Sequence, residues 1–183
     1  MLTITNLSKQ IQYPYQNQSN SESESESLSI LKPMNLQIKK QSIHALVGKN
    51  GAGKTTLLKT IAGLYSPTTG QLKFCDEVAK ASLVDEHKLK ATTYFVPDTI
   101  GFSITETFKY LHDLHRLLYP HWDELQFQNY IKTLSFNIFK PLRHLSKGEE
   151  RQLLMCFALA SNPNLFILDE PFDGLDQIGR AHV

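Results

Sequence analysis

Cysteine is scarce in this chain of 183 residues: there are two, Cys75 and Cys156, far apart and each within an apolar run. That count excludes a disulfide scaffold and a cysteine-rich metal site, and it suits reduced structural thiols in a cytosolic compartment. Net charge is nearly absent too. Nineteen Lys+Arg oppose eighteen Asp+Glu, so no global field draws the chain to nucleic acid or anionic lipid, and no nucleic-acid partner is expected. No apolar stretch approaches the roughly 18 residues of a membrane span, and the opening MLTITNLSKQIQ lacks a signal-peptide core. With 41% hydrophobic residues over this length, one α/β domain with a sizeable core is expected, and two are not.

After a short strand at 2–4, the segment QNQSNSESESESLS (16–29) is polar and repetitive, and reads as a disordered loop inserted between two early strands. Residues 43–47 (IHALV) read as a buried strand leading into a glycine-rich loop and a helix over 54–64, with a turn at 67–70. Strands are expected at 71–75 and 93–97. A helical insert follows over about 99–145, where Ile104, Phe108, Leu111 and Leu118 share one face and Ser103 with Glu106 forms a capping box. It continues through Phe127, Tyr130, Ile131 and Leu134, and gives way to a loop at 141–145. Ser146 and Glu149 form a second capping box, at the start of a helix ending near 161. Asn162-Pro163-Asn164 breaks that helix, and 165–168 is a buried strand ending in Asp169-Glu170. Strands alternating with helices predict a mainly parallel sheet.

The strongest chemical signal is GKNGAGKT, from Gly48 to Thr55, which fits the phosphate-loop pattern and lies between the expected strand and helix. Glycines at 48, 51 and 53 let main-chain N–H groups curl around phosphates, with Lys49, Asn50, Ala52 and Thr56 contributing the rest of the cradle. The helix N-terminus adds positive dipole, Lys54 reaches the β and γ phosphates, and Thr55 is placed to ligate Mg²⁺. The alternative, a glycine-rich turn without a ligand, does not explain the flanking strand and helix. Phosphoryl transfer also needs a carboxylate near the metal and a group to position water. Asp169 is the candidate for the metal and Glu170 for the base; taken alone, two acids at a strand end are often only solvated charges.

The residues LSKGE (Leu145 to Glu149) before a helix resemble the LSGGQ signature of the ABC ATPase family. DEPFDGLD (Asp169 to Asp176) looks like that family's Walker B and D-loop, and KPMNLQI like the strand before its Walker A. The likeness spans nearly the whole chain except the Ser/Glu insert. It implies a P-loop NTPase fold, a RecA-like core of mainly parallel sheet plus antiparallel strands with a helical insert. It also implies ATP and Mg²⁺ as ligands, a homo- or heterodimer of cassettes, a transmembrane permease subunit as partner, and a cytoplasmic place on the inner face of the membrane. YPHWDE, LSKG and ALASNPNLFILDEP resemble bacterial exporter subunits.

Carried over by the same resemblance, Ser146 and Gly148 would reach the γ-phosphate on a partner cassette, and an aromatic, Tyr13, would stack on adenine. Asp98 stands where the family has a metal-sensing glutamine, and remains a metal candidate. Lys147 and Glu149 replace a glycine and a glutamine, which bears on turnover. His112, His115 and His121 suggest metal binding, but lack ligand spacing, and packing or surface roles compete with it.

The family's switch histidine lies beyond the D-loop, and His182 is too close to Asp176 to fill that role. Residues 1–176 therefore read as one ABC ATP-binding domain, incomplete at its C-terminus. Residues 177–183 read as a non-native tail, since IGRAHV can be encoded by a common sequencing-adapter stretch, although a Gly-Arg pair also follows GLD in some family members. A fragment of that kind is expected to hydrolyse ATP slowly or not at all. Beside the transport motor stand two alternatives, a soluble ABC ATPase acting on ribosomes or DNA, and a nucleotide-dependent interaction module without catalysis.

Overall fold

The inward alternation of Leu2 and Ile4 is interrupted at Asn6, and the interruption shapes the first half of the molecule. The computed structural model of the chain describes residues 1–15, 24–74, 90–99, 101–102 and 106–171. It divides into two compact units, Met1–Leu89 and Lys90–Val183.

In the first unit, strand β1 (Leu2–Tyr15) pairs antiparallel with β2 (Glu24–Ile38) and with β3 (Thr69–Phe74), in the order β2-β1-β3. Asn6 has φ 49, and both ladders shift register next to it, so the next inward side chain is Leu7 rather than one at an even position. A bulge of this kind changes the phase of a strand without unpairing it, and Leu2, Ile4 and Leu7 all end up buried. Helix α1 (Lys54–Ile61) buries Leu57, Thr60 and Ile61.

Two sequence expectations are corrected here. The polar segment 16–29 is strand from Glu24 onward, because the main chain of β1 pairs with it as far as Tyr15 opposite Glu24. An edge strand needs main-chain partners more than apolar side chains, and charge on such an edge discourages pairing with other chains. Residues 16–23 lie outside the described residues. The run 43–47 is not a strand: Ile43 is 100% and Val47 91% exposed, and neither sheet includes it. An apolar run becomes a buried strand only where a sheet edge accepts its hydrogen bonds. Both edges of β1 are taken, and 43–47 joins neither outer strand.

The second unit is built on a parallel pair, β4 (Thr93–Val96) and β5 (Leu165–Leu168), registered from Thr93 opposite Leu165 to Val96 opposite Leu168. Among the described residues it is accompanied by the helices α2 (Phe108–Leu118), α3 (Glu124–Lys132) and α4 (Lys147–Ala160). A single 3₁₀ turn, Leu142–His144, lies in the expected loop. The core gathers Tyr94, Val96, Leu111, Phe127, Leu153 and Phe157, with Phe127 and Phe157 fully buried and their rings 4.8 Å apart. Cys156 is buried, and burial pushes its thiol up to about 11, which makes it an inert packing group; Cys75 lies outside the described residues.

Helix α2 starts later than the sequence predicts. Thr107 is its N-cap, accepting from the Tyr110 N–H, while Ser103 and Ile104 lie outside the described residues. The expected stripe also changes, since Leu118, the last residue of α2, stays 53% exposed and His115 occupies the buried face instead. His115 is accommodated as a neutral ring: Nδ1 donates to the Leu111 carbonyl at 2.7 Å, and Nε2 accepts from the Tyr94 hydroxyl at 2.7 Å. Its ring stacks on Phe157 at 4.3 Å between centroids. His112 hydrogen-bonds to Glu124, which also accepts from the Trp122 indole.

Burial holds the His115 pKa below its ordinary value, opposed by the Leu111 carbonyl and reinforced by nearby His112. Above about pH 6.5 His115 is neutral both folded and unfolded; below it the unfolded chain takes up the proton first, so stability falls. The urea midpoint should therefore drop between pH 7.5 and 5.5 more steeply in the parent than in His115→Gln. Equal slopes would show that His115 does not carry this dependence.

Candidate functional site

The phosphate loop lies in the first unit and is built around a helix whose first turn no side chain caps. Gly53, the N-cap of α1, has φ 86, and Gly51 has φ 78, both in the left-handed region that side chains other than glycine rarely adopt. Ala52 N–H closes a turn on the Lys49 carbonyl at 3.2 Å, and Leu57 N–H makes the first helical bond to Gly53 at 2.8 Å. The early N–H groups of a helix without a side-chain cap carry the dipole's positive end and accept an anion readily. Lys54 lies back over the loop, its ammonium donating to the Gly48 carbonyl at 2.9 Å and the Lys49 carbonyl at 3.3 Å. Thr55 is exposed at the same helix start and Thr56 half-buried beside it, while Gly48, Lys49 and Asn50 form the exposed rim. The sequence-predicted loop residues are thus brought together. Of Tyr13 only the main chain is described, opposite Glu26 in the β1–β2 ladder; its side chain lies outside the described residues.

The acids lie in the second unit, where Asp98 follows β4 and Asp169 and Glu170 follow β5 at the same end of the parallel pair. Asp169 N–H donates to the Val96 carbonyl at 2.9 Å, which extends the ladder one step past β5. Its side chain is only 3% exposed, and Oδ2 has no hydrogen-bond partner among the described residues. A buried carboxylate oxygen is costly to leave without a partner, and a hard divalent cation suits it. Glu170 is exposed and has φ 46, a left-handed conformation unusual for a side chain of its size. Asp98 is exposed, and Thr99 donates to its Oδ2 at 3.4 Å.

The signature segment opens α4 in the same unit. Ser146 is the N-cap, its hydroxyl accepting from Glu149 N–H at 3.2 Å while the Glu149 carboxylate accepts from Ser146 N–H at 2.7 Å, so the expected capping box is present. Gly148 lies half-buried in the first turn. Lys140 donates to both Glu149 oxygens at 2.8 Å. That bond first, and the Ser146 N–H second, hold the Glu149 pKa below the usual carboxylate value. The carboxylate that replaces a glutamine therefore has its charge matched locally.

Two residues escaped the sequence reading, Lys140 and Arg151. Lys140 gave no signal, since nothing in a chain of residues links it to a cap nine positions on. Arg151 could have been flagged: it stands three and four residues before Leu154 and Met155 and seven before buried Ala158, a cation followed by apolar residues at helical spacing. It is buried in the structure, donating to the main-chain carbonyls of Glu170 and Asp98.

A glycine loop opening a helix at a half-buried lysine, and an acid pair ending a parallel strand, are the parts of a P-loop nucleotide-binding cassette. The family model described as ABC transporter matches residues 31–173, and the chain belongs to that family. It is 34% identical over 155 residues to the ABC transporter ATP-binding protein YtrB of Bacillus subtilis, covering 84% of this chain and 51% of the relative. It is 31% identical over 154 residues to the cytochrome c biogenesis ATP-binding export protein CcmA of Reclinomonas americana, covering 81% of this chain and 67% of that protein. The chain thus spans from about half to two thirds of the length of these relatives. The dimeric structure of MJ0796, a bacterial ABC transporter cassette, superposes with a TM-score of 0.72 at 22% identity, over 96% of this chain and 76% of that one, which establishes the shared fold.

The close approach at Gly53 makes a measurable difference between two glycines. A Cβ at Gly53 would meet Leu31 Cδ2 at 2.8 Å and the Ile30 carbonyl oxygen at 3.0 Å, whereas one at Gly51 meets nothing within 4 Å. Both alanine variants carry about 1–2 kcal/mol for the left-handed conformation, and Gly53→Ala adds the clash with β2. Urea unfolding should place Gly53→Ala clearly below Gly51→Ala in stability. Equal losses would mean that β2 yields at no cost.

Proposed function

We propose that the complete protein binds Mg·ATP, hydrolyses it between two cassettes, and drives transport through a separate transmembrane permease subunit. The observation that carries this reading is the uncapped start of α1, with the Lys54 ammonium lying over the loop that opens it. Main-chain N–H groups from Gly48 to Thr56 hold the phosphates, and Lys54 exchanges its two loop carbonyls for phosphate oxygens. Thr55 and Asp169 supply oxygens for Mg²⁺, and the buried Asp169 Oδ2 supports that choice. When bound, the metal neutralises charge that develops on the transferred phosphoryl group. Glu170 orients water and accepts its proton, with Asp98 available to the metal or its water. Ser146 and Gly148 serve the nucleotide of the partner cassette, and Tyr13 the adenine.

The partner reading is supported by the kinds of relatives found: CcmA is called an export protein, and MJ0796 is described as dimeric. None of the described helices is long and apolar enough to cross a membrane, which suits a motor attached through its permease at the cytoplasmic face. The near-neutral charge disfavours an action on ribosomes or DNA. Retention of Lys54 and Glu170 disfavours an interaction module without catalysis.

Phosphate release and nucleotide affinity, measured on the full-length protein, test the assignment. Glu170→Gln should retain ATP binding while kcat falls by about 10²-fold or more, as expected for loss of a general base. Lys54→Ala should weaken ATP binding itself. A full-length protein that binds ATP with no turnover would give the site to the interaction-module reading, and we expect residues 1–183 alone to turn over more slowly than the full-length protein.

A further inference from the structure

We propose that Arg151 is a positioning residue for Glu170, and that its guanidinium ties Asp98 and Glu170 into one movable unit at the ends of β4 and β5. The inference rests on the hydrolytic role given to Glu170 above. The parallel ladder ends with Val96 opposite Leu168, and the last main-chain bond past it runs from Asp169 N–H to the Val96 carbonyl. Asp98 and Glu170 each stand two residues beyond that final pair, so they are counterparts in register where no ladder remains to join them. Arg151, from the second turn of α4, takes the ladder's place: Nη1 donates to the Glu170 carbonyl and Nη2 to the Asp98 carbonyl at 2.8 Å, with Nη2 3.9 Å from Asp98 Oδ1.

The guanidinium suits this task in a way an ammonium does not. Its donors are fixed in one plane, so two carbonyls bound by one fork are held at a set separation. The side chain is 8% exposed, and a buried cation is retained only at the cost of its hydration, which packing alone does not explain. Glu170 meanwhile adopts φ 46, a conformation that persists where the surroundings enforce it. Its carbonyl is the group that Arg151 grips, so that hydrogen bond restrains the main chain from which the Glu170 side chain departs. Asp98 shares the fork, and a displacement at the end of β4 is therefore transmitted to Glu170 through one side chain.

The test uses the full-length protein and Arg151→Lys, which keeps the charge and loses the planar fork. We expect kcat to fall about 10- to 100-fold, in line with small misplacements of catalytic groups, with KM for ATP and the thermal midpoint nearly unchanged. On a Glu170→Gln background the same substitution should cost nothing further. Amide exchange should rise together in peptides covering 96–99 and 168–171, and not over 147–160. An unchanged kcat in Arg151→Lys, or equal losses with and without the Glu170 carboxylate, would overturn the proposal. So would a parallel loss of stability and ATP affinity, which marks a mere structural anchor. If the parent protein hydrolyses no ATP, the functional reading fails, and the exchange data then decide the coupling by themselves: protection unchanged at both strand ends rejects it.

Discussion

The pairing of Val96 with Leu168 governs where the acidic chemistry falls. A parallel ladder consumes main-chain donors and acceptors up to its last pair, and the residues just beyond are the first whose side chains and carbonyls are committed elsewhere. Asp98, Asp169 and Glu170 occupy that margin. Asp169 retains one ladder bond and turns a carboxylate oxygen into a buried position without a donor among the described residues, while Glu170, one residue later, leaves the ladder in a left-handed conformation and is exposed. Adjacent acids thus receive opposite environments from a single step of the chain. Acid–metal and acid–water chemistry require that difference, and strand termination supplies it.

Both units were legible in the sequence to the extent that their signals are local. The Ser146–Glu149 capping box, the break at Asn162, the strand 165–168 and the glycine loop all depend on residues a few positions apart, and each is found where the pattern placed it. Expectations failed where the outcome depends on a distant partner. Residues 43–47 have the composition of a buried strand, but composition does not tell whether a sheet edge is left to receive it. The Ser/Glu stretch has the composition of a loop, and yet from Glu24 it pairs in register with β1. His115 reads in the sequence as a packing or surface group, and what lets it pack is likewise distant, since a carbonyl one turn back and a tyrosine twenty-one residues away satisfy both ring nitrogens.

The phosphate loop shows a similar division between what residue types dictate and what packing adds. Positive φ at Gly51 and Gly53 follows from the motif. The near contact of Gly53 with Ile30 and Leu31 does not, since it comes from α1 resting on β2, and it binds the loop's shape to the antiparallel sheet. Substitution tolerance at the two glycines is consequently unequal, even though the pattern G-x-x-x-x-G-K-[ST] treats only one of them as fixed.

The departures from the family signature, Lys147 and Glu149, look disruptive when read as charges and less so when read as geometry. Glu149 spends one oxygen on the Ser146 N–H, and both accept from Lys140, so the extra negative charge is answered by a lysine nine residues earlier. The Ser146 hydroxyl accepts from Glu149 N–H, using one lone pair of an oxygen that also carries a proton. Capping therefore does not compete with the role proposed for it: the hydroxyl proton can be donated to a phosphate oxygen while the cap remains closed, and the cap fixes the direction from which that proton is offered. Lys147 stands exposed at the same helix start, where an anion is favoured by the dipole and by the ammonium alike. The substituted signature thus keeps its helix start rigid and more positive toward an incoming phosphate, while the acid it acquired faces its own lysine.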